Sequence, residues 1–151
     1  MSTSRKGYRK CARCGTNRQL RFYVGTRGRV CSTCRKKKTR SASRAKRLLD
    51  TYGITSEEYD LLLQAQGGAC AGCREKRSYN LSVDHDHQVE ANLRPMYADA
   101  TAARMSVRGL LCRRCNKVLR DVRDNDATLD ALADYLANWP SNGVLKGRWG
   151  A

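Results

Sequence analysis

All eight cysteines of this 151-residue chain fall into CxxC pairs: Cys11/Cys14, Cys31/Cys34, Cys70/Cys73 and Cys112/Cys115. Two such pairs supply the four thiolates of a tetrahedral zinc ion, so the chain carries ligands for two structural Zn2+ ions. The first two pairs read C-x2-C-x16-C-x2-C, a gap suited to a zinc knuckle or ribbon. The last two read C-x2-C-x38-C-x2-C, longer than a compact ribbon loop, which leaves room for a functional element between the two halves of the second site. Disulfides are the competing use of these thiols. No apolar run approaches the roughly 20 residues of a membrane span, and no signal-peptide core follows MSTSRKGYRK, so the chain reads as cytoplasmic, with reduced thiols. Metal also compensates for a small core, because the 40% hydrophobic fraction includes those cysteines.

Charge is divided as unevenly as cysteine is evenly spaced. Residues 1–49 hold 17 of the 30 Lys and Arg and no acid, while residues 50–151 hold the other 13 against all 14 acids. Eight thiolates and two dications would lower the formal charge from +16 to about +12, still strongly cationic. This polarity points to a polyanion bound at the N-terminal end, through salt-sensitive and largely sequence-independent phosphate contacts. A basic tail serving solubility alone is the bland alternative, and KKKTRSASRAKR offers little apolar face to a membrane.

Three segments are expected. Residues 1–40 form a basic zinc-binding module, with RQLRFYV and GRV as short strands around a turn at Gly25–Gly28. Residues 41–66 form a helical connector and a packing helix. SRAKRLLDTYG is helical up to Gly53; Thr55 and Glu58 then make a capping box, with Ile54 stapled to Tyr59, and Leu61, Leu62 and Leu63 pack on the C-terminal domain. Residues 67–151 form that domain, in which LSVD and VRGLL are strands and NKVLRDVR is a helix. A last helix spans 127–138, capped by Asp126, with Leu129, Leu132, Ala133 and Leu136 as a core stripe. Pro140, Asn142 and Gly143 end it, leaving the tail VLKGRWGA with Trp149.

LSVDHDHQ, residues 81–88, contains both histidines of the chain. If VD ends a strand and CN opens the following helix, the second cysteine site draws Asp84 and Asn116 together. Their oxygens suit a hard dication, Mg2+ or Mn2+, and neutral His85 can take a proton from an attacking water. Asp84 and His85 serve one site only if regular strand pairing ends or bends there. Asp86 organises the turn or holds water, and His87 orients phosphate, assembles the loop or caps a local turn. Zinc at either histidine is disfavoured, since the cysteines already complete two sets of four ligands. Arg108, Arg113, Arg114 and Lys117 are candidate DNA-binding phosphate anchors.

YGIT, EEYDLLLQAQGG, CAGC, VDHDH and VRGLLCRRCN together resemble the recombination endonuclease VII family of phage nucleases, a branch of the His-Asn-His (HNH) or ββα-metal endonucleases. The resemblance covers approximately residues 52–136. It implies a small α+β, zinc-stabilised fold: a ββα-metal (HNH) nuclease core preceded by helices and an N-terminal zinc knuckle or ribbon. It implies structural zinc at Cys70, Cys73, Cys112 and Cys115, catalytic metal at Asp84 and Asn116, His85 as general base and His87 in support. The activity implied is metal-dependent hydrolysis of DNA phosphodiesters to a 5′-phosphate and a 3′-hydroxyl, with selectivity for branched DNA such as Holliday junctions, in the host cytoplasm if the chain is phage-encoded. A nicking or double-strand HNH endonuclease on ordinary duplex DNA, and a non-catalytic two-zinc DNA-binding protein, are the alternatives. A homodimer would set two centres on a symmetric junction. The chain departs from the pattern by lacking a long helical C-terminal portion and by a longer insertion, VEANLRPMYADATAARMS, whose role is left open.

Overall fold

The computed structural model describes residues 7–25 and 27–138; the expected tail with Trp149 lies outside them. The chain divides into two compact units, at Ser56/Glu57. In chain order the elements are β1 (Tyr8–Lys10), β2 (Asn17–Gln19), a 3-10 turn (Leu20–Phe22), α1 (Ser32–Tyr52), α2 (Ser56–Ala65), β3 (Ser82–His85), α3 (His87–Leu93), α4 (Asp99–Ser106), β4 (Val107–Leu111), α5 (Arg113–Asp121) and α6 (Asp126–Ala137).

In the first unit the hairpin differs from the one expected. β1 pairs antiparallel with β2, Arg9 opposite Arg18, and so brackets Cys11 and Cys14 instead of the Gly25–Gly28 turn. The apolar residues of RQLRFYV pack on thiols and do not form a ladder: Phe22 and Tyr23 lie against Cys11 and Cys31, with Val30 and Cys34 beside them. The Tyr23 hydroxyl donates to the Arg9 carbonyl at 2.7 Å, fastening this cluster to β1. α1 starts at Ser32, eleven residues before the expected helix begins at Ser43, and runs unbroken past position 40. Its end is as expected. Gly53 adopts φ 63°, a left-handed cap whose N–H reaches the last carbonyls of the helix.

In the second unit β3 and β4 form an antiparallel pair, and α5 follows directly, giving the expected ββα order. Leu81, Val83, Leu110 and Leu111 are buried with Tyr59, Ala102 and Ala103. Tyr59 donates its hydroxyl to the Leu81 carbonyl at 2.9 Å. Gln66 clamps β4: its amide oxygen accepts from Leu110 N–H at 2.8 Å and its amide nitrogen donates to Leu110 O at 2.9 Å. Gly109 leaves room for the clamp, since a Cβ there would lie 3.0 Å from that amide oxygen and press on it. The insertion folds into α3 and α4, which pack on each other, and Asp86 N–H bonds Ser106 O at 2.9 Å to close its ends.

Two expectations of packing fail. Leu61 is 63% exposed, although Leu62 and Leu63 are half-buried. α6 is capped by Asn125, whose side chain accepts from Thr128 N–H, and not by Asp126; none of its residues is buried, and Leu132 and Leu136 are exposed. Helical spacing alone does not identify which apolar stripe meets a core.

Candidate active site and zinc centres

The four thiols of Cys11, Cys14, Cys31 and Cys34 converge, as do those of Cys70, Cys73, Cys112 and Cys115, each set with sulfurs within 4.8 Å of one another. All eight cysteines are free thiols, with Sγ separations of 4.0 Å for Cys11–Cys34 and 3.9 Å for Cys73–Cys112, well beyond a disulfide bond. They match the edge of about 3.8 Å that zinc–sulfur bonds of about 2.3 Å impose on a tetrahedron. Both sites fit zinc by donor set and spacing.

Both are built alike. At the first pair of each site the carbonyl of Cys11 or Cys70 accepts from the N–H four residues on, at 2.9 Å in both. The residue after the second cysteine turns left-handed in each: Gly15 at φ 68° and Arg74 at φ 62°. The third cysteine then caps a helix, Cys31 on α1 and Cys112 on α5, with nearly identical backbone angles. Main-chain N–H groups point at sulfur. Cys31 N–H reaches Cys11 Sγ at 3.4 Å, and Cys112 N–H reaches Cys70 Sγ at 3.2 Å. The Cys31 amide, with others, lowers the Cys11 thiol to about 6, and the Cys115 amide leads in lowering Cys112 to about 6. Burial pushes Cys34 and Cys115 up to about 12. Zinc uptake therefore includes proton release from Cys34 and Cys115.

Beside the second zinc centre the β3–β4 ladder bulges. Asp84 pairs with Gly109 and His85 with Val107, so Arg108 is the extra residue and the register shifts between Asp84 and His85, where the sequence requires a bend. Asp84 is 8% exposed. Both of its oxygens accept from Arg108, from Nε at 2.8 Å and from Nη2 at 3.1 Å. The same guanidinium donates to Asp124 Oδ1 at 3.0 Å and lies 3.6 Å from Asp86 Oδ2.

His85, at the end of β3, has its Nε2 3.3 Å from Glu90 Oε2. Its ring centroid is 4.4 Å from that of His87, with the planes at 63°. Burial first, then the neighbouring His87, hold the His85 imidazole below its ordinary value, so it is neutral at neutral pH. Asp86 organises the turn as expected, its Oδ1 accepting from Gln88 N–H at 2.9 Å and Val89 N–H at 3.0 Å. That cap starts α3 at His87 and sets Glu90 about one turn further on. The second Glu90 oxygen accepts from Arg94 Nη2 at 2.8 Å, which holds its carboxyl below the usual glutamate value.

Glu90 stands outside the set expected from sequence. An acid within the insertion carries no mark of function until α3 is known; the usable signal is the spacing His87-x-x-Glu90. Asn116 occupies the first turn of α5, half-buried, with its N–H bonded to Cys112 O at 3.0 Å, and α5 packs against β3. Of the expected phosphate anchors, Arg108 is engaged with Asp84 and Asp124, Arg113 lies 4.9 Å over the Tyr79 ring, Lys117 pairs with Asp121, and Arg114 is exposed.

Among the described residues no helix is long and apolar enough to cross a membrane. No solved structure matches the chain. The Gene 59 protein of Mycobacterium phage D29 is 39% identical over 108 residues, covering 70% of this chain and 56% of that protein. The Gene 59 protein of Mycobacterium phage L5 is 37% identical over 108 residues, covering 70% and 57%. The chain thus spans little more than half the length of these relatives. Residues 45–138, well over half the chain, match the family described as recombination endonuclease VII, and the protein belongs to that family.

Proposed function

We propose that the protein is a metal-dependent DNA endonuclease of the HNH type that hydrolyses phosphodiester bonds in branched DNA such as Holliday junctions. The observation that carries this reading is neutral His85 on the bulge next to Asp84, in a ββα unit of a chain whose family is defined by a nuclease. The Nε2–Glu90 approach favours the tautomer with its proton on Nε2, so the basic lone pair lies on Nδ1. There it accepts a proton from the water that attacks phosphorus, while the bond to the 3′ oxygen breaks.

Asp84 and Asn116 would hold Mg2+ or Mn2+. Their donors are all oxygen, and two carboxylate oxygens retain lone pairs beyond the two engaged by Arg108. When bound, such an ion stabilises charge on the phosphate and on the leaving oxygen. Arg108, fixed at the bulge, and Arg114 and Lys117 on α5 supply positive charge for phosphate contacts. His87 supports the site from the start of α3.

The first unit is assigned to holding DNA. Residues 1–56 carry 17 Lys and Arg against one acid, Asp50, whereas residues 57–151 carry 13 of each, so the entire formal charge of +16 resides in the first unit. Two structural zinc ions fix the frames on which both functions depend.

Cleavage of matched four-way junction, flap, nicked and linear DNAs, with Mg2+, Mn2+ or EDTA, tests the reading. Metal-dependent cutting that favours the junction is expected; equal cutting of all four rejects structural selectivity. His85→Ala is expected to keep its fold and DNA affinity while hydrolysis falls by roughly 10²–10⁴-fold. Turnover at the wild-type rate would remove His85 from the mechanism.

A further inference from the structure

The His85, His87 and Glu90 cluster contains the donor set of an open zinc site: two imidazoles and one carboxylate. The cysteine centres are separate from it, and a hard-ion site at Asp84 and Asn116 does not use Glu90. We propose that this cluster binds a third transition-metal dication of the zinc type, and that filling it switches off His85 as a base. The second half of the proposal rests on the nuclease reading above.

The geometry argues for binding. The candidate ligand atoms already lie within 4.8 Å of one another. His85 Nε2 and Glu90 Oε2, at 3.3 Å, stand at the ligand–ligand edge of about 3.3 Å that bonds of about 2.0–2.1 Å impose on a tetrahedral ion. Closing the remaining distance falls to His87, which is exposed and able to rotate, while Glu90 is 8% exposed and oriented by Arg94 through its other oxygen. A carboxylate so anchored keeps one oxygen directed at the imidazole. Three protein ligands leave a fourth position for water. Imidazole donors favour zinc, cobalt, nickel or copper over magnesium, so this pocket and an all-oxygen site discriminate between ions.

The switch arises from the two nitrogens of one ring. Coordination through Nε2 requires the lone pair there, and a neutral imidazole then carries its proton on Nδ1. The atom that would accept a proton from water becomes an N–H donor instead. No oxidant, reductant or net transfer is needed: the ring keeps one proton and changes which nitrogen bears it.

The test uses the full chain with both cysteine sites filled with zinc, in the absence of DNA. Further Zn2+ is added while binding is followed by calorimetry and by 15N spectra of the imidazoles, of which the chain has only two. Expected is one additional ion per chain, with both imidazoles shifting together. Glu90→Gln and His87→Ala are expected to keep the cysteine-bound zinc and to weaken the additional ion at least tenfold. Absence of a third ion in the wild type, or its retention at wild-type affinity in both variants, overturns the site. In a parallel Mg2+ cleavage assay, activity is expected to fall with the same Zn2+ midpoint as binding, and the midpoint to rise at least tenfold in Glu90→Gln. Full cleavage at saturating Zn2+ overturns the switch. If neither Mg2+ nor Mn2+ supports cleavage, the nuclease reading fails while the binding arm still decides the site.

Discussion

α1 is the element on which the DNA-holding role of the first unit is most open to measurement. At 3.6 residues per turn, Lys36, Lys37, Arg40, Arg44 and Arg47 fall within an arc of about 100°, and all but half-buried Arg44 are exposed. Leu48, the buried residue of this helix, lies outside that arc. If these five side chains neutralise phosphates, the slope of log K against log salt is about −4.5 for duplex DNA. Raising salt from roughly 50 to 200 mM would then weaken binding by about 500-fold. The combined variant Lys36→Gln, Arg40→Gln and Arg47→Gln removes three contacts and should reduce the slope to about −1.8, so that the same change in salt costs only about 12-fold. Gln is close to Lys and Arg in helix propensity, so the helix and its zinc site should persist. Fluorescence anisotropy over a salt series, using as the background His85→Ala, in which cleavage is expected to be slowest, reads both slopes. A slope unchanged by the triple substitution would refute the assignment of this face to phosphate, whatever its effect on affinity at one salt concentration.

Other expectations concern stability. Cys112→Ser should abolish zinc at the second centre and unfold its unit, because apparent zinc-linked folding energies of roughly 10–16 kcal/mol exceed the ordinary margin of a small domain; metal analysis and thermal melting check this. Gln66→Ala removes the partners of both Leu110 backbone groups and should destabilise by about 1–3 kcal/mol in urea titration; no change would mean that the clamp is dispensable. Arg108→Lys keeps the charge but loses the fork on Asp84, so a stability loss near that of Arg108→Ala is expected, and full retention by Lys would contradict a geometric role.

The features legible in the sequence were those that a short motif determines by itself. The CxxC spacing located both cysteine sites, the short apolar runs LSVD and VRGLL located β3 and β4, and placing Asp84 and His85 in one site called for the bend seen there. Where the metal centre replaces an ordinary local signal, legibility is lost. α1 starts at Cys31 without a side-chain cap, so nothing in residues 31–34 marks a helix start; the zinc ligands set the approach angle that Ser or Asp sets elsewhere. RQLRFYV has strand composition, yet its aromatics pack on Cys11 and Cys31, a preference that depends on the folded cluster. Glu90 becomes significant only once α3 brings it beneath His85, and the α6 stripe has core spacing without a core to meet.

The two zinc centres use one backbone device, a knuckle followed by a helix capped by the third cysteine, and differ in what separates the halves. Sixteen residues in the first leave space for little beyond β2 and a 3-10 turn, and the helix that follows carries eight Lys and Arg against one acid, Asp50. Thirty-eight in the second admit β3, α3, α4 and β4, and with them every histidine of the chain. Zinc bound at both would supply the cohesion that so few apolar side chains would not. That releases the surface of the first helix for charge and the β3–α3 junction for polar, partly buried chemistry, two uses that a core built from side chains alone would oppose. The separation of a cationic unit from an electrically balanced one therefore has the same physical origin as the cysteine pattern.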